Sequence, residues 1–162
     1  DIAAAANVGR STFYLHYKGK KDVLRQSMMR PSSVLAALID QGAESNMLLP
    51  LLAHFREQRA RNRIFFDPPV NAIWSKCVAE AMEPRLTEVA RKTSAKAILP
   101  LDLIATQIAA TQIALITAWI AGRGNAAPER VAEALIASAQ AQTAALLKIP
   151  ARGEFEGAKK GR

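Results

Sequence analysis

Catalytic chemistry has little to work with in this chain. Its 162 residues hold two histidines, His16 and His54, and one cysteine, Cys77. A single cysteine excludes an internal disulfide and any cysteine-rich metal centre, and it suits a reducing, cytoplasmic compartment. The motifs H-E-x-x-H, C-x-x-C, G-x-S-x-G, the Walker loop and G-x-G-x-x-G are all absent. Gly122-Arg123-Gly124 closes a helical pattern and comes after no strand, so it reads as helix punctuation. No signal peptide and no internal repeat is visible. These gaps favour a binding protein over an enzyme, with no cofactor and no metal site expected.

What is plentiful is alanine, 32 residues of 162, in a chain that is 50% hydrophobic with only 6% aromatics. Such a composition points to an all-α fold. The net charge of +8 is unevenly placed. Residues 1–30 carry +4, residues 64–147 sum to zero, and the stretch from Lys148 onward carries +3. A basic end joined to a neutral body suggests a head that binds a polyanion.

That head has its own pattern. Apolar residues recur at helical spacing from Ile2 to Ala6, stop at Asn7-Val8-Gly9, and resume through Phe13 and Tyr17. Asn7 tolerates the left-handed backbone that ends a first helix, and Gly9 is an acceptable N-cap for a second. Phe13 and Tyr17, four apart, share a face with Val8, while Arg10, Ser11, Thr12, Tyr14 and His16 keep polar groups elsewhere. The result is a helix-turn-helix with a polar reading helix. Lys18-Gly19-Lys20-Lys21 then opens a third helix with phosphate-friendly chemistry at its N-terminus.

The string I-A-x-x-A-x-V-x-x-x-T-F-Y-x-H-Y-x-x-K-x-x-V-L resembles the DNA-binding domain of TetR-family transcriptional repressors, from their second helix into their fourth. Roughly the first 24 residues carry the resemblance. Asn7 stands where the family usually has Gly, and Gly9 where it has Ser or Thr. The resemblance implies that Arg10, Ser11 and Thr12 face base edges in the major groove, and that Tyr14, His16 and Lys20 hold phosphates. It implies a double-stranded DNA operator as partner. Because Ile2, Ala6, Val8, Phe13, Tyr17 and Leu24 need cover that two helices cannot supply, a further helix is expected ahead of Asp1.

Beyond the head, three units are expected: residues 1–29 as the C-terminal part of the DNA-binding domain, 30–149 as a helical regulatory and dimerisation domain, and 150–162 as a basic tail. Within the body, Pro31-Ser32-Ser33 should break or restart the helix. A short helix over Val34–Ile39 comes next. Another runs from Leu48 to Arg63, with Leu48, Leu51, Leu52 and Phe55 inward and Arg56, Arg59 and Arg63 mainly outward. Asn71 to about Lys92 is a long amphipathic helix that Pro84 should kink or split. A helical piece is expected at Ser94–Leu99.

Leu103 to Gly122 carries no charge and could by length cross a membrane, but two glutamines, three threonines and six alanines argue against a membrane span. Its wheel has a bulky side, Ile104, Ile108, Leu115, Ile116, Trp119 and Ile120, and a small side through Thr106, Gln107, Ala110, Ala114, Thr117, Ala118 and Ala121. The last helix, Pro128 to about Lys148, presents Val131, Leu135, Ser138, Gln142 and Leu146 as one strip. Together these two helices offer more weakly polar, small-residue surface than a monomer exposes, and the corresponding TetR pair forms the homodimer's four-helix bundle.

An effector pocket is the remaining expectation. By resemblance it lies in the helices after the head, with His54, Phe55, Phe65, Phe66, Trp74 and Cys77 as candidate walls. Gln112 joins from the bulky side, and Gln107 and Thr111 from nearer the seam, where the dimer contact is the alternative place for them. An uncharged wall suits a neutral or weakly polar, partly aromatic compound. The competing reading is a helical protein-interaction or small-ligand carrier module that does not bind DNA.

Overall fold

The computed structural model describes residues 20–57 and 70–148, with side chains from residue 22 onward, and every regular element among them is helical. Helix α1 spans Lys20–Ala36 and tightens into a 3-10 turn at Ala37–Ile39; a second such turn covers Ser45–Met47. Then come α2 (Leu49–Glu57), α3 (Val70–Thr93), α4 (Leu101–Ile120) and α5 (Pro128–Leu146). Helix α3 packs chiefly on α4 and on α1, while α5 lies over α4, α2 and the first 3-10 turn.

Apolar periodicity explains this arrangement. Trp74, Val78 and Met82 of α3 recur every four residues and are buried, with Leu86 one turn on. From α4, Ile104, Ile108, Gln112, Ile113, Ile116 and Ile120 face the same interior. Leu35, Leu38, Leu48 and Leu52 fill it from the other side.

The prolines did not do what their positions suggested. Helix α1 runs unbroken through Pro31, and α3 runs unbroken through Pro84. An internal proline costs about 3 kcal/mol, because it removes one N–H and crowds the carbonyl four residues back. Those carbonyls belong to Ser27 and Glu80, both exposed residues, so water can take up the lost bonds. Beyond Pro31, Leu35, Ala36 and Leu38 are wholly buried, and each large side chain contributes roughly 1.5–3 kcal/mol. Packing therefore outweighs the proline. In the same way α1 crosses positions 29 and 30 without a break.

The helical piece expected at Ser94–Leu99 is also absent. Ser94 adopts a left-handed conformation with φ 51°. The Ala95 N–H reaches back to the Ala90 oxygen at 3.1 Å and the Ser94 N–H to the Arg91 oxygen at 3.4 Å, which closes α3. The chain then continues as an extended connection whose Ile98 N–H donates to the Leu146 oxygen at 3.0 Å, so it caps the end of α5 instead of forming a helix.

In α5 the buried strip is turned by one residue from the expected one. Val131 and Leu135 are buried as expected, but Ala139, Thr143 and Leu147 complete the strip, and Ser138, Gln142 and Leu146 are only half-buried. Small residues explain the rotation, since Ala139 lets α5 lie close where Leu or Ile would hold it off. Helix α4 is long and apolar enough to cross a membrane by length and composition. Here it serves as a core helix, with eight of its residues buried.

Asp40 ties three segments together. Its carboxylate pairs with Arg85 of α3, and its main-chain oxygen accepts Gln140 Nε2 of α5 at 2.8 Å. Arg25 of α1 likewise pairs with Glu80 of α3.

Candidate functional site

Two features of the body stand out: a partly polar interior and an uncharged outer face. In the interior, Phe55 at the end of α2 meets Trp74 of α3 edge to face, with ring centroids 5.3 Å apart and planes inclined by 74°. Both belong to the core that also holds Leu35. Gln112 is buried in the same helical layer and donates from Nε2 to the Leu35 oxygen at 3.1 Å. Its Oε1 has no hydrogen-bond partner among the described residues. A buried amide acceptor without a partner carries a desolvation cost of about 1–3 kcal/mol, which a ligand donor or a water would relieve.

Cys77 sits one turn beyond Trp74 and is buried. Burial pushes its thiol up from the ordinary value, with Arg25 pulling in the opposite direction. Such a thiol stays protonated at neutral pH, so it packs rather than reacts.

The remaining predicted pocket residues separate from this group. His54 is exposed, with its ring 6.2 Å from that of Phe55, because helical spacing turns it outward when Phe55 turns in. Gln107 and Thr111 are exposed on α4, whereas Gln112 is buried. Thr111 Oγ1 lies 3.4 Å from Gln142 Oε1 of α5, on the surface where the two helices meet. These three are surface positions. Phe65 and Phe66 lie outside the described residues, as do Arg10, Ser11, Thr12, Tyr14 and His16; Lys20 is the first residue of α1.

The outer face is built by α4 and α5 together. Contacts at Trp119 with Ala126, Thr111 with Gln142 and Ile98 with Leu146 show that the two helices run antiparallel. Leu103 (51% exposed), Gln107, Ala110 and Ala114 are exposed along α4, and Ala134, Ala137, Ala141 and Ala145 along α5. No charge interrupts α4 after Asp102 or α5 after Glu133. Beside this face, a groove of about 470 Å³ separates Asn71, Ala72 and Ser75 of α3 from Ala114, Ala118 and Ala121 of α4. Asn71 Nδ2 bridges its floor to Thr117 Oγ1 at 3.2 Å.

Some relations left no mark in the linear pattern. The partner of Gln112, the Asp40 junction and a hollow at the α4–α5 turn all depend on segments far apart in sequence. No family model, curated protein or solved structure matches this chain.

Proposed function

We propose that this protein is a TetR-type transcriptional repressor: a homodimer that binds a double-stranded DNA operator and is released by a small, neutral or weakly polar effector. The observation that carries the reading is the sequence run T-F-Y-x-H-Y-x-x-K over residues 12–20, which resembles a TetR reading helix with its phosphate-binding side chains and whose last residue, Lys20, is the first of α1. Helix α1 is in turn locked to the body by Arg25 with Glu80 and by Gln112 with Leu35. In this reading the basic N-terminal residues connect through α1 to a neutral body. A ligand that prefers one placement of α1 over another shifts DNA affinity by that preference and no more.

The dimer reading draws support from the uncharged α4–α5 face, whose small side chains allow close helix approach. The effector reading draws support from Phe55, Trp74 and the unspent acceptor of Gln112, an apolar interior with one orienting polar group. In this reading the protein works in the cytoplasm and performs no catalysis.

The test is selection of duplexes from a random pool by the complete protein at low salt. Recovery of a two-fold symmetric site, with half-sites about one helical turn or a multiple apart, is the expected outcome. Absence of salt-dependent duplex binding would overturn the proposal and favour a carrier or interaction module.

A further inference from the structure

We infer that the hollow at the α4–α5 turn is a binding site for a compact organic carboxylate with an apolar or aromatic body. The hollow has a volume of about 210 Å³ and is lined by Arg56, Trp119, Ile120, Gly122, Gly124 and Asn125. This inference does not depend on DNA binding and concerns a place distinct from the Phe55–Trp74 interior.

The turn holds its shape through its own hydrogen bonds. Gly122 has φ 77°, a conformation that favours glycine, and its N–H donates to the Trp119 oxygen at 3.0 Å. The Arg123 N–H donates to the Ala118 oxygen at 3.1 Å. These two bonds form the left-handed helix stop that satisfies the last carbonyls of α4. Trp119 Nε1 donates to the Ala126 oxygen at 3.0 Å, so the indole edge is fixed to the loop. The hollow therefore has a rigid apolar side, made by Trp119 and Ile120.

Its other side carries donors that have no partner among the described residues. Arg56 forms no ion pair with a described residue, and the main-chain N–H groups of Gly124 and Asn125 form no hydrogen bond with one. Among the described residues no acidic side chain lines the hollow. The chain around it is positive as well. Arg123 lies in sequence between two lining glycines, Gly122 and Gly124. A helix C-terminus opposes an anion with only about half an elementary charge. At the end of α4 those carbonyls are already bonded, so the full charge of Arg56 prevails.

Size and chemistry select the ligand class. Pockets for drug-sized molecules run from about 300 to 1,000 Å³, so this hollow suits something smaller. Free phosphate would leave Trp119 and Ile120 without a partner, and a neutral hydrocarbon would leave Arg56 without one. A carboxylate on a small ring uses both, through the paired N–H donors of the guanidinium and the face of the indole.

The experiment is a titration of benzoate into the complete protein, followed by calorimetry and tryptophan fluorescence. Saturable binding is expected, with benzyl alcohol about tenfold or more weaker, and Arg56→Gln weakening benzoate by a similar factor. Trp119→Phe should abolish the fluorescence response while calorimetry still registers binding. Arg56 is exposed, and circular dichroism of Arg56→Gln verifies that the fold is retained. Failure of benzoate to saturate, equal binding of benzyl alcohol, or an unchanged affinity in Arg56→Gln would each overturn the assignment.

Discussion

Gln112 of α4 donates its amide hydrogen to the main-chain oxygen of Leu35 in α1 across 3.1 Å, joining residues 77 apart inside a mostly apolar core. The bond holds α1 against α4, which carries no charge after Asp102. It comes with an unpartnered Oε1 on the same side chain.

This combination predicts different outcomes for two substitutions. Gln112→Leu loses one bond, worth about 0.5–1.5 kcal/mol, but removes an unsatisfied buried acceptor of comparable cost. Its unfolding free energy should stay within about 1 kcal/mol of the parent. Gln112→Ala adds a cavity and should lose about 2 kcal/mol or more. Urea denaturation distinguishes them, and equal losses for both would show that the Oε1 is not a liability.

Two helix ends are open to improvement. Ala127 is the N-cap of α5 and offers no side-chain acceptor, although its backbone is already extended at φ −66° and ψ 146°. Ala127→Asp should add about 1 kcal/mol by accepting a first-turn N–H and meeting the positive end of the helix. Ser94 holds a left-handed turn at φ 51°, and Ser94→Gly should add about 0.5–1 kcal/mol by removing that strain. Thermal melts of the single variants measure both.

Much of the fold was legible because burial follows periodicity. The α3 row of Trp74, Val78 and Met82 and the inward α4 residues Ile104, Ile108 and Ile116 were readable from spacing alone. Local breakers misled where tertiary packing won, as at Pro31, or where a serine took the conformation usually marked by glycine, as at Ser94. Of the candidate pocket, Phe55, Trp74, Cys77 and Gln112 are buried. His54, Gln107 and Thr111 are exposed, and their side was not legible because neighbours on a helix wheel differ by about 100° and polar residues give no sign of which side they take.

One carboxylate has a clear acid response. Arg91, by hydrogen bonding to Glu88, leads in drawing its pKa down to about 2 from 4.5, with Lys92 adding to the effect. A depressed folded value means that this interaction supports the fold above the unfolded carboxylate pKa, and that the support fades as pH falls through the folded value. The pair is exposed, so its effect on stability is small. An NMR titration should show the Glu88 side chain titrating well below pH 4, and returning toward 4.5 in Arg91→Ala with Lys92 present. An unchanged midpoint would remove the Arg91 contribution.

In the head, Lys20→Ala should weaken binding to all duplexes alike and flatten the slope of log affinity against log salt by about one unit, the signature of one lost phosphate contact. Thr12 or Arg10 variants should instead change sequence preference, by about 1–3 kcal/mol per lost base contact. Filter binding across a salt series separates the two behaviours. A Lys20→Ala protein with the parent's salt slope would exclude the phosphate role.

The α4–α5 face leads to the most direct test of assembly. Ala114 is exposed on one chain, so Ala114→Glu should leave a monomer's stability nearly unchanged, as surface substitutions usually do. If two copies bury this face against each other, the same carboxylate enters a tight, small-residue contact without water or a counter-charge, and association is lost. Gly42→Ala serves as the control, since no atom lies within 4 Å of a methyl group added there and the site is remote in sequence from both helices. Sedimentation at micromolar concentration should find a dimer for the parent and for Gly42→Ala, and a folded monomer for Ala114→Glu. Operator affinity should fall together with association, because one reading head has half the contacts of two. A parent protein that sediments as a monomer, or an Ala114→Glu protein that remains dimeric, would place the interface elsewhere and leave the exposed Leu103 and the alanine stripes without this role.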